Sequence, residues 1–185
     1  ARYDQIICDG YQAAVTAINH LIQLGHRKIA YIGETERENR YRGYLDALSA
    51  ENITVYKGYV SNVTLSSEGG YLGAKKLLEQ NCDATAYFCP NDMTAIGAMR
   101  AIQEAGYSIP GDISIISIDD IETAQYLNPM LTTVHIPIEE MGQMAAKTLI
   151  DRIEGGHSLP MKINLPFYIA NRESCGPAHP LRQRE

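Results

Sequence analysis

Two spacings of apolar residues alternate along the chain. Residues 29–33, 84–89 and 113–118 are short and almost wholly apolar. That is the pattern of strands covered on both faces of a parallel sheet. Between and around them, apolar residues recur at helical spacing. Ala14, Ile18, Leu21 and Ile22 precede Gly25, and Tyr44, Leu45 and Leu48 precede Asn52. Tyr71, Ala74, Leu77 and Leu78 follow Ser66-Ser67, a pair able to cap a helix start. Ala95, Met99 and Ile102 lead to Gly106, placed as a left-handed helix stop. Met141, Ala145, Leu149 and Ile153 form a face that follows Pro137 and ends before Gly155-Gly156. Weaker strands are expected in 3–8, 53–63 and 131–136, and one or two edge strands in 161–169, where Pro166 removes a ladder donor. Residues 108–112 read as a Pro-Gly turn, 121–127 as a short helix broken by Asn128-Pro129, and 176–185 as a loose polar tail. Strand and helix alternate with short loops, which predicts an α/β fold with a doubly wound parallel sheet.

The stretch around residues 87–102 organises the rest. A buried strand runs into Pro90-Asn91-Asp92 and then into a long helix. Asn91 or Asp92 can cap that helix, and capping alone would account for both. The same pair also stands at the carboxyl end of a strand, where open α/β sheets bind ligands.

Two other strand ends carry polar groups: the loop after Gly33 with Arg40, and Asp119-Asp120 after 113–118. In a parallel sheet all three ends share one rim. A guanidinium offers a rigid fork of donors, an amide both donates and accepts, and a carboxylate only accepts. Arg40, Asn91 and Asp119 together therefore suit a ligand with several neighbouring hydroxyls, such as a sugar. Charged hydrogen bonds contribute roughly 1.5–3 kcal/mol each, so two or three suffice for micromolar binding. Taken singly, Arg40 reads as a surface charge. Some of Tyr41, Tyr44, Tyr71 and Tyr126 could offer ring faces to a sugar, though the core can also use them.

Charge and composition narrow the function classes. The 185 residues carry 16 Lys and Arg against 22 Asp and Glu, a net charge of −6, with no dense basic run. This segment is not built to grip nucleic acid through its own field. The four cysteines (Cys8, Cys82, Cys89, Cys175) have no metal-ligand spacing and read as reduced thiols of a cytoplasmic protein. No stretch has the length and apolarity of a membrane span, and no signal peptide is recognisable. Asp119-Asp120 could serve a metal or a phosphoryl-transfer reaction. No glycine-rich phosphate loop and no third acidic cluster accompanies it, so no catalytic residue, cofactor or metal is expected.

The residues also resemble a known family, the effector-binding domain of the lactose-repressor/galactose-repressor transcription regulators. The resemblance rests on Leu24-Gly25-His26-Arg27-Lys28-Ile29-Ala30-Tyr31-Ile32-Gly33, Arg40-Tyr41-Arg42-Gly43-Tyr44 and Pro90-Asn91-Asp92-Met93-Thr94-Ala95-Ile96-Gly97. Ile109-Pro110-Gly111-Asp112-Ile113-Ser114, Asp119-Asp120 and Pro129-Met130-Leu131-Thr132-Thr133-Val134 complete it, in family order, from about residue 9 to 175. It implies a periplasmic-binding-protein-like fold of two α/β subdomains with a sugar or nucleobase effector between them. It also implies that Arg40, Asn91 and Asp119 contact the effector, that Asp9 lines the cleft from the other subdomain, and that Ile136 and Ile138 lie at a crossing between subdomains. Leu65 falls where some members place an aromatic ring against the sugar.

The helix-turn-helix and hinge of such regulators have no counterpart in this sequence. The expectation is an effector-binding piece: 1–24 a remnant of the N-terminal subdomain, 25–135 the C-terminal subdomain, 136–161 a helix of the N-terminal subdomain, 162–175 further C-terminal-subdomain strands, and 176–185 a tail. The partners expected are a sugar effector, operator DNA through an N-terminal domain outside this chain, and a second copy in a homodimer. A sugar-binding protein of an uptake system is the alternative, since it shares the two-lobed architecture.

Overall fold

The computed structural model describes residues 3–180. Six strands form one sheet in the order β3-β2-β4-β5-β6-β8, parallel except for β8, which runs antiparallel to β6. They are β2 (Ile29–Gly33), β3 (Val60–Asn62), β4 (Ala86–Phe88), β5 (Ser114–Asp119), β6 (Thr132–His135) and β8 (Tyr168–Ala170). A separate parallel pair joins β1 (Gln5–Ile7) to β7 (Lys162–Asn164). The helices are α1 (Gly10–Gln23), α2 (Asn39–Ala50), α3 (Ser67–Glu79), α4 (Asp92–Glu104) and α5 (Ile138–Ile153).

Two cores sandwich the large sheet, and strand alternation decides which side chain enters which. Ala30, Ile32, Tyr87, Cys89, Ile113 and Ile115 face the core that also holds residues of α3 and α4. Ile29, Tyr31, Phe88, Ile116, Ile118 and Val134 face the core that holds residues of α1 and α2. Short 3-10 helices at Lys57–Tyr59 and Glu122–Tyr126 complete the connections. Gly25, Gly106 and Gly155 have φ of 92°, 77° and 81°, which a helix stop of this kind demands.

The packing corrects three expectations. Residues 10–24 do not belong with the small unit, because Ala13, Ala14, Ala17, Ile18 and Leu21 of α1 are fully buried against the large sheet and α2. Residues 162–164 form β7, which pairs with β1 and not with the large sheet. Residues 176–178 are anchored: the Ala178 N–H donates to the Leu24 carbonyl at 2.9 Å and the Gly176 N–H to Ser114 Oγ at 3.0 Å. The Gly176 carbonyl accepts from His26 Nε2 at 3.0 Å. An acceptor there fixes the proton on Nε2 and leaves Nδ1 to accept from Thr85 Oγ1 at 2.8 Å. Burial holds the His26 pKa below its ordinary value, in keeping with a neutral ring. Residues 181–185 of the expected tail lie outside the described residues.

The face of α5 that carries Leu149 and Ile153 is open, with those residues 58% and 75% exposed, and Thr148 is the helix's buried residue. With β1 it borders a groove lined by Tyr3, Asp4, Ile6, Ala145, Thr148, Leu149 and Arg152.

Helices α3 and α4 touch backbone to backbone. A Cβ at Gly97 would lie 1.8 Å from the Ser67 carbonyl oxygen, and one at Gly70 would lie 1.9 Å from that of Thr94. Neither neighbour is a side chain that can turn away. Gly97→Ala is expected to cost roughly 1–3 kcal/mol through overpacking, read as a lower urea midpoint at unchanged m value. Gly142→Ala on α5, where a Cβ meets nothing within 4 Å, is the control and should be neutral or stabilising.

Candidate functional site

The carboxyl ends of β2, β4, β5 and β6 lie side by side, as their parallel register requires. Gly33, at the end of β2, meets Pro90 so closely that a Cβ would lie 2.5 Å from the proline ring. This contact sets the end of β2 against the turn between β4 and α4. Arg40 then reaches across: its Nη1 donates to the Pro90 carbonyl at 2.6 Å. Its other edge is held by Glu38, with Nε to Oε1 at 2.8 Å and Nη2 to Oε2 at 2.9 Å. Glu38 also caps α2, accepting from the Arg40 N–H at 2.9 Å. Both side chains are largely buried, at 21% and 14% exposure. The pairing with Arg40 holds the Glu38 pKa below the usual carboxylate range.

Asn91 is the N-cap of α4, its Oδ1 accepting from the Thr94 N–H at 2.9 Å. Its amide nitrogen faces the Leu65 carbonyl at 3.4 Å, which places Leu65 at the same rim. Asp92 is fully buried. Its Oδ1 accepts from Ser117 Oγ at 2.5 Å and Thr133 Oγ1 at 2.6 Å, and its Oδ2 from the Ile121 N–H at 2.8 Å. Thr133 Oγ1 in turn accepts from the Asp120 N–H at 3.3 Å.

This network clamps the turn that carries Asp119 and Asp120, whose φ values are 129° and 60°. A φ of 129° is unfavourable for a residue with a Cβ, whereas 60° lies in the left-handed region that Asp visits more readily than most, and such strain persists where surrounding bonds over-determine it. The two carboxylates diverge. Asp120 accepts from Arg172 Nη2 at 2.6 Å and pairs with His135 Nδ1 at 2.9 Å. His135 stacks on Tyr168 at 4.7 Å between ring centroids. The Asp119 carboxylate, half-buried, makes no hydrogen bond to any described residue. Burial raises its pKa to about 6, with the charge of Asp92 adding to the effect and that of Arg40 opposing it.

Of the remaining expected residues, Ile136 and the neighbour of Asp9 contact residues of this rim. Asp9 caps α1 by accepting from the N–H groups of Tyr11 at 3.0 Å and Gln12 at 3.3 Å. The neighbouring Gly10 lies against the stem of Arg40. The Ile136 N–H donates to the Asp119 carbonyl at 3.3 Å. Ile138 follows at the start of α5 and is 60% exposed. The tyrosines disperse. Tyr44 is buried and donates to the Ile29 carbonyl, and Tyr41 packs on Tyr31. Tyr71 donates to Glu104 and lies under Arg100, while Tyr126 is 73% exposed. Glu38, Arg172 and His135 were not among the expected site residues. Glu38 is within two residues of Arg40, but nothing in a polar loop tells a helix cap from a guanidinium partner. Among the described residues no group of His, Cys, Asp and Glu could hold a metal ion, and no helix is long and apolar enough to cross a membrane.

The profile of the periplasmic binding protein-like domain matches residues 18–175. The ribose operon repressor of Haemophilus influenzae is 41% identical over 155 residues, covering 82% of this chain and 47% of the repressor. The repressor PurR of Yersinia enterocolitica is 36% identical over 175 residues, 92% of this chain and 51% of that protein. The chain thus spans about half the length of these relatives. Among solved structures, a LacI family transcriptional regulator from Enterococcus faecium with bound ribose superimposes at a TM-score of 0.88, with 35% identity, over 95% of this chain and 67% of that one. The complex of the transcriptional regulator CelR with cellobiose gives 0.87 at 29% identity, over 94% and 54%.

A carboxylate with a raised pKa favours the folded state most when protonated. Its contribution is present below the unfolded value near 3.8 and is lost as pH rises through about 6. Asp119→Asn keeps the shape and removes the charge. It is expected to raise the melting temperature of the ligand-free protein at pH 8, with the gain shrinking below pH 6 and vanishing near pH 4. Thermal melts across that range check the sign.

Proposed function

We propose, because the chain belongs to the periplasmic binding protein-like domain family, in its lactose-repressor/galactose-repressor branch, that this rim is an effector site and that the chain is the sensing and dimerising part of a sugar-responsive bacterial transcription regulator. The observation that carries the reading is the Asp119 carboxylate. It is half-buried, held on a strained backbone, unused by the described protein groups and beside Arg40. Such an acceptor next to a guanidinium suits vicinal hydroxyls, each of which donates to one group and accepts from the other. In this reading Arg40, Asn91 and Asp119 bind the polyol, Asp9 approaches it from across the cleft, and Ile136, Ile138 and Leu65 supply apolar contact.

The site performs no bond chemistry. Its output is linkage: sugar favours one arrangement of the two lobes, and a homodimer transmits that bias to a DNA-reading segment outside this chain. The protein works in the cytoplasm, where the operator is. The repressors among its relatives favour this over a role in uptake.

In the full-length protein, Arg40→Ala and Asp119→Ala are each expected to weaken effector binding at least tenfold, roughly 1.4 kcal/mol or more, with the fold retained. Calorimetry with the cognate sugar, after a thermal-shift screen has found it, makes the measurement. Unchanged affinity in both variants would overturn the assignment.

A further inference from the structure

Arg40 carries the positive charge that faces the rim, and Glu38 neutralises it from within. Of the five guanidinium N–H donors, Nε and one on Nη2 go to Glu38 and one on Nη1 goes to the Pro90 carbonyl. Two remain, one on each terminal nitrogen. The pair is two-pronged, the geometry in which carboxylate and guanidinium bind most strongly. Glu38 is fixed a second time by capping α2. A carboxylate placed this way occupies the edge that a phosphate or carboxylate ligand would otherwise grip.

The surrounding charges act in the same direction. Asp119 presents a bare carboxylate above pH 6. With Glu38 that makes two carboxylates beside one guanidinium. Arg172 is taken by Asp120 and by the Leu131 carbonyl. A neutral polyol can use the two free donors and the Asp119 acceptor. An anionic ligand meets a neutralised arginine and a facing carboxylate.

We propose that Glu38 is a specificity-determining positioning residue, which holds Arg40 in a two-pronged ion pair and so reserves the rim for uncharged polyhydroxylated ligands over phosphorylated or carboxylated ones. The inference rests on the reading of the rim as a sugar site and names the chemical class of sugar it takes. Glu38→Gln removes the charge, keeps an oxygen for the helix cap and releases one edge of Arg40. Glu38→Ala releases it fully.

The test titrates full-length wild type, both variants and the double variant Glu38→Gln/Arg40→Gln with inorganic phosphate, ribose 5-phosphate and a panel of neutral pentoses and hexoses, by calorimetry at pH 7.5. Melting curves confirm that each protein is folded. The expected result is at least a tenfold gain in affinity for both anions in one or both Glu38 single variants, abolished in the double variant. A purely structural role for Glu38 would not shift selectivity between anions and neutral sugars. Equal anion affinity in wild type and both single variants overturns the proposal, as does a gain that survives loss of Arg40. If the anion gain appears but no neutral sugar binds wild type, the sugar-site reading fails while the control of Arg40 by Glu38 stands. If neutral sugars bind wild type and no gain appears, the reverse holds.

Discussion

The structure turns on a buried carboxylate. Asp92 sits at the first turn of α4, fully enclosed, and receives hydrogen bonds from β5, from β6 and from the backbone beyond Asp120. Burying a carboxylate is unfavourable unless donors surround it, and three donors do so here. Its pKa is nonetheless pushed up by that burial. The arrangement ties two neighbouring strands of the sheet, and the backbone just beyond Asp120, to one helix start at the level where the strands end. It also holds the path of the chain at Asp119 and Asp120, where Asp119 has a φ of 129°.

From that clamp follows the division of labour between paired groups. Asp120 is turned toward Arg172 and His135 and is spent on structure. Asp119 is turned toward Arg40 and left without a hydrogen-bonding partner among the described residues, at a price the fold carries as a raised pKa. Asn91 and Asp92 divide likewise. Asp92 faces inward to the network, while Asn91 caps α4 with its oxygen and keeps its amide nitrogen near Leu65. In each pair the residue nearer the N-terminus faces the rim.

The fold was legible because its signals are local. Strand runs buried on both faces, glycine stops and helix caps are all written in neighbouring residues. The rim was legible for a similar reason: once strands are parallel, the polar residues after them must share an edge. Three things were not legible. That α1 packs on the large sheet depends on what its apolar face meets, and periodicity names the face but not the partner. That β7 joins β1 depends on pairing between segments more than 150 residues apart. That residues 176–178 are pinned depends on His26, whose three hydrogen-bonding neighbours come from remote parts of the chain. Glu38 stayed hidden because a carboxylate two residues before an arginine can cap, pair or face solvent, and only the burial of both decides which.

The small unit of β1, β7 and α5 joins the large sheet through three connections: 8–9 before α1, 136–137 after β6, and 165–167 before β8. The first holds Asp9, beside the residue that packs on the Arg40 stem. The second begins with Ile136, whose N–H bonds the Asp119 carbonyl. In the third, the Leu165 N–H bonds the Ile7 carbonyl, so it moves with the first. A change in the angle between the two units therefore passes through the backbone that positions Asp9 and Asp119. A ligand held by both would resist some angles and favour others. In the proposed reading, that is the differential interaction a binding-linked conformational change requires, and it would arise from where the connections run.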